Sequence, residues 1–334
     1  MNILINCPIK FSIENLDKTN IGGIESLNID LAKKFSKKNY NVTIATHLKK
    51  KVIKNGIKNF PINQIVKNPD KYHFDRIISS NDSTIFNYFP NAKKFLWLHN
   101  PLQIEKAIRK KQLISIIRNK PTAVFVSDYL NKITSSLYFF KKRVTINNFL
   151  LNDFIFNNTS FKKRKSTFVW SVARSKGLNE TINMWINYIH PKTNEAKFII
   201  LGVNKFKSKF SNNYLESKNI YLKGRVNRRV LKKIYTESTA MICLGYDETF
   251  CLNALEANAC GLPVISFGKS ALSSFINNNY NGFIVKDFKS LAKKIEYYLK
   301  MNKNYKSKII KNCINHSKKY NVENSFSYWI KLLK

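Results

Sequence analysis

Two α/β domains, each a doubly wound parallel sheet with helices on both faces, are expected of this chain on three grounds. At 334 residues it exceeds the roughly 250 that one hydrophobic core usually serves. Short apolar runs of strand length alternate with amphipathic stretches of helical period, the pattern of repeated strand–helix–strand units. The alternation lapses once, around 150–165, where paired asparagines and a basic run carry no clean period, and then a second series begins.

The first series opens with a strand at 2–7 (NILINC). A polar loop leads to Gly22-Gly23 and a helix with Ile24, Leu27, Leu31 and Phe35 on one face and lysines opposite. Strands are expected at 41–46, 75–79, 93–98 and 122–126, with helices at 102–118 and 128–138. The loops at 8–21 and 47–74 carry no readable code. The second series runs strand 167–172, helix 178–188, strands 196–201 and 219–222, helix 227–237 and strand 239–244. It continues with helix 250–260, strand 262–266, a short strand at 282–285 and helix 288–299. The tail from 304 to 334 reads as helical to its end, with Phe326, Trp329, Ile330 and Leu333 on one stripe. The domains are thus 1–150 and 166–315, with 151–165 as linker and 316–334 as a terminal helix returning toward the first domain. Ligands of such sheets bind beyond the carboxyl ends of the strands.

A hydrophobic fraction of 44% with 13% aromatic residues excludes a disordered chain, because that apolar mass offsets chain entropy. No window holds the ~18 apolar residues of a membrane span, and MNILINCPIKF reads as a strand rather than a secretion signal. The 58 Lys+Arg against 20 Asp+Glu give +38 and invite a nucleic-acid reading. Only nine of the 58 are arginines, the residue that base-edge and planar phosphate recognition favours. Lysine is spread over every helix face, so a solvated basic surface that attracts anionic partners is expected, with no nucleic-acid partner. Cys7, Cys243, Cys251, Cys260 and Cys313 are odd in number and lack metal-ligand spacing, which points to a reducing cytoplasm.

Chemistry concentrates in 245–268, GYDETFCLNALEANACGLPVISFG. Glu248 falls in the loop after a strand, and Glu256 falls about two turns into the next helix, beside the buried stripe of Leu252, Leu255 and Ala259. Between them, Thr249 to Cys251 place free backbone donors and the positive end of the helix dipole. A carboxylate at a core edge needs a partner, and ribose hydroxyls are suitable donors. Only ten glycines occur in the chain, and the Gly22-Gly23 pair before a helix allows close phosphate approach or serves as a plain turn. His99 ends a buried strand at its carboxyl end. His47, His73, His190 and His316 lack such a setting and read as surface or core residues; Cys243 and Cys260 read as small buried hydrophobes. No Asp-x-Asp is present to hold Mg²⁺ or Mn²⁺ beside a diphosphate, so neither a metal nor another cofactor is expected. The segment 103–120 carries Ile104, Ile108, Leu113, Ile116 and Ile117 among six basic residues, and suits either a helix packed on the sheet or one lying on an anionic membrane.

The run ETFCLNALEANACGLPVI resembles the Glu-x7-Glu signature of the retaining glycosyltransferases of family 4, which have the GT-B fold. WLHN at 97–100, SVARSKGLNET at 171–181, LKGRVNRRVLKKIY at 222–235 and NYNGFIV at 279–285 extend the resemblance over nearly the whole chain. It implies a sugar transferase that draws on a nucleoside-diphosphate sugar and serves a glycan or lipid-linked acceptor. The acceptor would go to the first domain and the nucleotide sugar to the second, across an interdomain cleft. Glu248 would then accept from donor-sugar hydroxyls and Glu256 from the ribose, while amides near Phe250, Cys251 and Leu252 receive the diphosphate. Arg174 and Lys176 would neutralise the leaving diphosphate, His99 would line the donor sugar, and Gly22-Gly23 would form the loop nearest the phosphates. Many relatives build lipid-linked glycans, which implies a cytoplasmic protein at the inner membrane face. Two departures are visible: Cys251 stands where the family commonly has glycine, and Arg174 and Lys176 are closer than the usual five residues. The alternatives are a sugar-nucleotide epimerase on the same fold and a basic nucleic-acid-binding protein.

Overall fold

The computed structural model describes residues 1–15, 22–154, 166–193, 195–205 and 210–334. The chain divides into two compact units, Met1–Phe149 with Val322–Lys334, and Leu150–Asn321.

The first unit is built in the order β1 (Asn2–Asn6), α1 (Gly23–Lys37), β2 (Asn41–Thr46), β3 (Val52–Lys54), β4 (Ile57–Pro61), α2 (Ile62–Lys67), β5 (Arg76–Ser80), β6 (Lys93–Leu98), α3 (Ile104–Arg109), α4 (Gln112–Asn119), β7 (Thr122–Phe125), α5 (Asp128–Ile133) and β8 (Lys142–Thr145). Its sheet has the order β3-β4-β2-β1-β5-β6-β7-β8. All neighbours are parallel except β3 with β4. Because helices cover both faces, the inner strands are apolar on both sides, and β1 buries Ile3, Leu4 and Ile5 completely. The chain builds outward from β1 through β2 and β4, then returns to β5 on the other side, so the order reverses between β1 and β5.

The C-terminal helix, Val322–Leu333, packs in this unit. Trp329 meets Trp97 edge-on at 5.3 Å, Phe326 meets Phe35 at 5.2 Å, and Lys34 pairs with Glu323. Arg76 Nε donates to the Leu333 carbonyl at 2.7 Å. On the expected apolar stripe Phe326, Trp329 and Leu333 are buried and Ile330 is half-buried.

The second unit runs β9 (Thr167–Trp170), α6 (Leu178–Met184), β10 (Lys197–Leu201), α7 (Asn212–Ser217), β11 (Ile220–Lys223), α8 (Arg228–Glu237), β12 (Ala240–Ile242), α9 (Leu252–Ala259), β13 (Val264–Ser266), α10 (Leu272–Phe275), β14 (Gly282–Ile284), α11 (Phe288–Lys300) and α12 (Lys303–Ser317). The sheet order is β11-β10-β9-β12-β13-β14, parallel throughout, and it reverses between β9 and β12. Trp185 stacks on Phe198 at 5.1 Å beneath it.

Several expected elements differ. The helix at 102–118 is two, broken at Lys111, whose left-handed φ of 55° cannot continue a helix. The helix expected to reach 138 stops at Ile133. The 47–74 loop holds a hairpin whose two turn residues, Asn55 (φ 51°) and Gly56 (φ 74°), both have positive φ, the Asn-Gly turn that suits the twist of paired strands. The tail breaks at Lys318–Tyr320 into two helices. Residues 151–154 of the expected linker belong to the second unit, where Phe154 is fully buried and Asp153 pairs with Arg228. The rest of that linker, 155–165, lies outside the described residues.

Candidate functional site

The reversal points of parallel sheets leave a crevice at the carboxyl ends of the strands, where the two flanking connections diverge. In the second unit the loops that leave β9 and β12 carry the sequence-selected residues. Arg174 and Lys176 form a single 3-10 turn after β9, and Glu248 follows β12. Lys176 Nζ lies 2.7 Å from Glu248 Oε1 and 3.3 Å from the Asp247 carbonyl. The ammonium thus meets the carboxylate as an ion pair, without the alignment of a directed hydrogen bond. Glu248 is 6% exposed, and its own amide donates to Ser270 Oγ at 3.1 Å, so the loop after β13 fixes it from below.

Gly177 makes the pairing geometrically available. Its φ is 96°, and a β-carbon there would sit 2.5 Å from Leu244 Cδ1 and 2.9 Å from the Tyr246 ring. Only glycine lets the Lys176 turn lie flat against the β12 loop. Neither Gly177 nor Ser270 stood out in the sequence. Gly177 was legible as one of ten glycines directly following a basic pair; Ser270 gives no signal.

Cys251 is the N-cap of α9, with a left-handed φ of 64°. That backbone is the one a glycine adopts freely. The amides of the first helical turn lie beyond the helix's own ladder and point along its positive end. Leu252 opens the helix, whereas Phe250 turns inward, buried, with its ring 5.7 Å from Tyr320. Asn253 donates to the Ser171 carbonyl and ties α9 to the end of β9. The hydrogen bond with Cys243, and then burial, push the Cys251 thiol well above its ordinary pKa.

Glu256 lies one turn further along α9 and is 5% exposed. Burial pushes its carboxyl pKa to about 8; the nearby Arg228 guanidinium pulls the other way, and Asp153 adds to the rise. The same buried surroundings, with Glu256 second, push Tyr235 up, whose hydroxyl is 2.6 Å from Ser171 Oγ. Glu248 and Glu256 therefore occupy different environments, one facing an ammonium and one held largely as the neutral acid.

In the first unit, Gly22 caps α1 in an extended conformation, accepting from the Ser26 amide at 3.1 Å, and Gly23 begins the helix; both are exposed. Neither needs positive φ. His99 lies just beyond β6, 4% exposed, with its ring centroid 4.5 Å from Trp97 and its amide donating to Asn81 Oδ1 at 2.8 Å. Burial depresses its pKa to about 3, so the imidazole is neutral. Beside it opens a cavity of about 440 Å³ at the carboxyl ends of the strands, lined among others by Ile24, His47, Asn81, Asp82, Asn100 and Lys106. His47, read from sequence as a surface or core residue, faces this space. Among the described residues, no helix is long and apolar enough to cross a membrane.

The family model for glycosyl transferases group 1 matches residues 152–316. Among curated proteins none matches the sequence. A glycosyltransferase from Rickettsia africae ESF-5 superimposes with a TM-score of 0.75 at 16% identity, over 100% of this chain and 97% of its own. WaaG, a glycosyltransferase involved in lipopolysaccharide biosynthesis, gives 0.72 at 11% identity over 99% of both chains. Anabaena Alr3699/HepE, solved in complex with UDP-glucose, gives 0.72 at 14% identity over 100% of this chain and 99% of its own. These likenesses establish a shared fold of two parallel-sheet domains, GT-B. Residues 152–316, the segment that forms the Lys176–Glu248 pair and α9, are thus a domain of the glycosyl transferases group 1 type, and the chain that carries it is a glycosyltransferase.

Proposed function

We propose that the protein moves a sugar from a nucleoside-diphosphate donor to a glycan or lipid-linked acceptor, with retention at the anomeric carbon and without a metal ion. The observation that carries this reading is the meeting of Lys176, Glu248 and the α9 N-terminus at the reversal point of a group 1 domain. The match to WaaG and to a UDP-glucose complex supports a nucleotide-sugar donor and an envelope glycan as acceptor.

In this reading the C1–phosphate bond breaks with its electron pair going to the diphosphate. The acceptor oxygen bonds C1 on the same face, and its proton passes to a diphosphate oxygen. Charge develops on the leaving group, where one cation ~4 Å away is worth ~4 kcal/mol at an effective dielectric of ~20 before desolvation. Arg174, Lys176 and the Cys251–Leu252 amides supply that positive field. Glu248 receives donor-sugar hydroxyls and Glu256 the ribose. His99 contributes a neutral ring in the first unit, Gly22-Gly23 leave α1 open to phosphate, and the 440 Å³ cavity receives the acceptor.

The membrane half of the proposal rests on the first unit's surface. Ile104, Ile108, Ile114, Leu137 and Phe139 are all about half exposed or more, among the basic residues of α3 and α4. The Tyr138 hydroxyl donates to the Leu102 carbonyl at 3.0 Å, which holds the Leu137–Phe139 loop beside α3. Apolar side chains ringed by lysine suit an anionic bilayer, and five free, buried cysteines suit a cytoplasmic location.

The first test is a thermal-shift screen against UDP, GDP, ADP and their sugars, followed by NMR of the slow donor hydrolysis in EDTA. One nucleotide should raise the melting temperature, and the first-formed sugar should keep the donor's anomeric configuration. No stabilisation by any nucleotide would overturn the donor assignment, and hydrolysis abolished by EDTA would overturn the metal-free reading. Co-sedimentation with phosphatidylglycerol vesicles, weakened by Leu137→Glu and absent with phosphatidylcholine, tests the membrane face.

A further inference from the structure

Two side chains outside the donor chemistry converge on Glu248. Cys243, which follows β12, and Cys251, at the head of α9, bring their sulfurs to 3.8 Å. Both Sγ atoms and a Glu248 carboxylate oxygen lie within 4.8 Å of one another, and all three residues are buried. We propose that Cys243, Cys251 and Glu248 form a binding site for a thiophilic divalent cation, Zn²⁺ in chemistry, that competes with Lys176 for Glu248.

The geometry is specific in kind. Zinc–thiolate bonds of about 2.3 Å in a tetrahedral site place two sulfurs about 3.8 Å apart, whereas a disulfide needs about 2.05 Å. The two sulfurs already hold the first spacing. Their backbones are fixed independently. The Cys243 amide donates to the Ile265 carbonyl at 3.0 Å within the sheet, and Cys251 holds its left-handed conformation as a helix cap. No rearrangement of main chain is therefore required for both sulfurs to reach one ion. Two thiolates and a carboxylate select zinc over magnesium or calcium, which prefer all-oxygen shells. Three protein ligands leave the fourth position for water. Binding replaces two thiol protons, which leave to solvent, and it takes the Glu248 carboxylate from the Lys176 ammonium.

That last exchange has a functional consequence, which rests on the donor role proposed for Glu248. With Glu248 bound to zinc, donor-sugar hydroxyls lose their acceptor. The loss of hydrogen bonds to a charged group predicts donor affinity weaker by about 10- to 100-fold. Zinc would then act as an inhibitor built into the fold, opposite in effect to the catalytic metals of other transferases.

The site and its consequence are tested separately. Reduced, metal-free protein is titrated anaerobically with Co²⁺. A thiolate-to-cobalt charge-transfer band in the near ultraviolet, with the visible bands of tetrahedral cobalt and displacement by Zn²⁺, is the expected result. Cys243→Ser and Cys251→Ser should abolish it; Cys260→Ser and Cys313→Ser, which alter buried thiols elsewhere, should keep it. Should the serine variants fold poorly, Cys243→Ala and zinc protection of wild-type Cys243 and Cys251 from alkylation, mapped by mass spectrometry, give the same reading. Absence of the band in wild type, its persistence in Cys243→Ser, or oxidation to a disulfide without metal uptake would each overturn the site. Donor binding is then measured with and without Zn²⁺. Weakening in wild type and none in Cys243→Ser supports the competition. A cobalt band accompanied by unchanged donor binding overturns the inhibition by zinc, while absence of any donor binding without zinc would instead count against the donor reading itself.

Discussion

Glu256→Gln separates what the free protein loses by burying this carboxyl from what the nucleotide complex gains by it. Burial holds the folded pKa at about 8 against an ordinary 4.5, with Arg228 opposing and Asp153 reinforcing the rise. An acid whose folded pKa is raised contributes fully below its unfolded value and loses that contribution as pH climbs through the folded one. Stability should therefore fall between pH 4.5 and about 8. At about 1.4 kcal/mol per pH unit the loss has a ceiling of about 5 kcal/mol. Glutamine is neutral at every pH and has nearly the same shape. The variant should melt with wild type at pH 4.5 and above it at pH 8.5, by up to on the order of 10 °C for a unit of this size. Nucleotide binding should show the reverse order. Ribose hydroxyls donate best to the anion, so binding by wild type at pH 7 releases a proton, seen as a dependence of calorimetric heat on buffer ionisation. Glu256→Gln should bind more weakly and release none. Parallel melting curves of the two proteins across this pH range, with no proton release by wild type, would refute the reasoning.

Lys176→Ala should lower turnover by up to about 10³-fold, the equivalent of ~4 kcal/mol on the leaving diphosphate, while Lys176→Arg keeps part of it; single-turnover kinetics decide. Gly177→Ala meets a strained φ and side-chain atoms 2.5 to 2.9 Å from its β-carbon, so a loss of about 2–5 kcal/mol in denaturant unfolding is expected. His99, buried and neutral, has a folded pKa of about 3 against 6.5 unfolded. A base so depressed keeps its contribution above pH 6.5 and loses it as pH falls toward 3, by at most about 5 kcal/mol. His99→Gln should flatten that part of the first unit's acid unfolding, read from tryptophan fluorescence.

The parallel strands were legible because burial on both faces writes them as short, nearly continuous apolar runs, as in Ile3-Leu4-Ile5 and Phe168-Val169-Trp170. Helix 102–118 misled because Ile104, Ile108, Ile116 and Ile117 keep an apparent period through Lys111, where the backbone turns left-handed. The β3–β4 hairpin carried a readable Asn55-Gly56 signal, masked by the lysines around its short apolar segments. At the site, Glu248 and Lys176 were visible as residue types at strand ends, but their pairing depends on two loops 72 positions apart, which no local pattern encodes. The same holds for Cys243 and Cys251. Eight positions apart in sequence, they suggest no common ligand until the β12 turn and the helix cap bring their sulfurs together.

Because Val322–Lys334 belongs with the first 149 residues, the second unit is an insertion into the first, and the sequence crosses from one to the other twice. On the ribosome this reverses the usual vectorial order. The unit that emerges first has all its strands by Thr145 but lacks the helix Val322–Leu333 until the whole inserted unit has been made, with Trp97 awaiting Trp329, whereas the inserted unit is complete at Asn321. The inserted unit should thus be able to mature before the first, and the first unit, waiting without the helix that packs on Trp97, is the point at which a chaperone would be of most use.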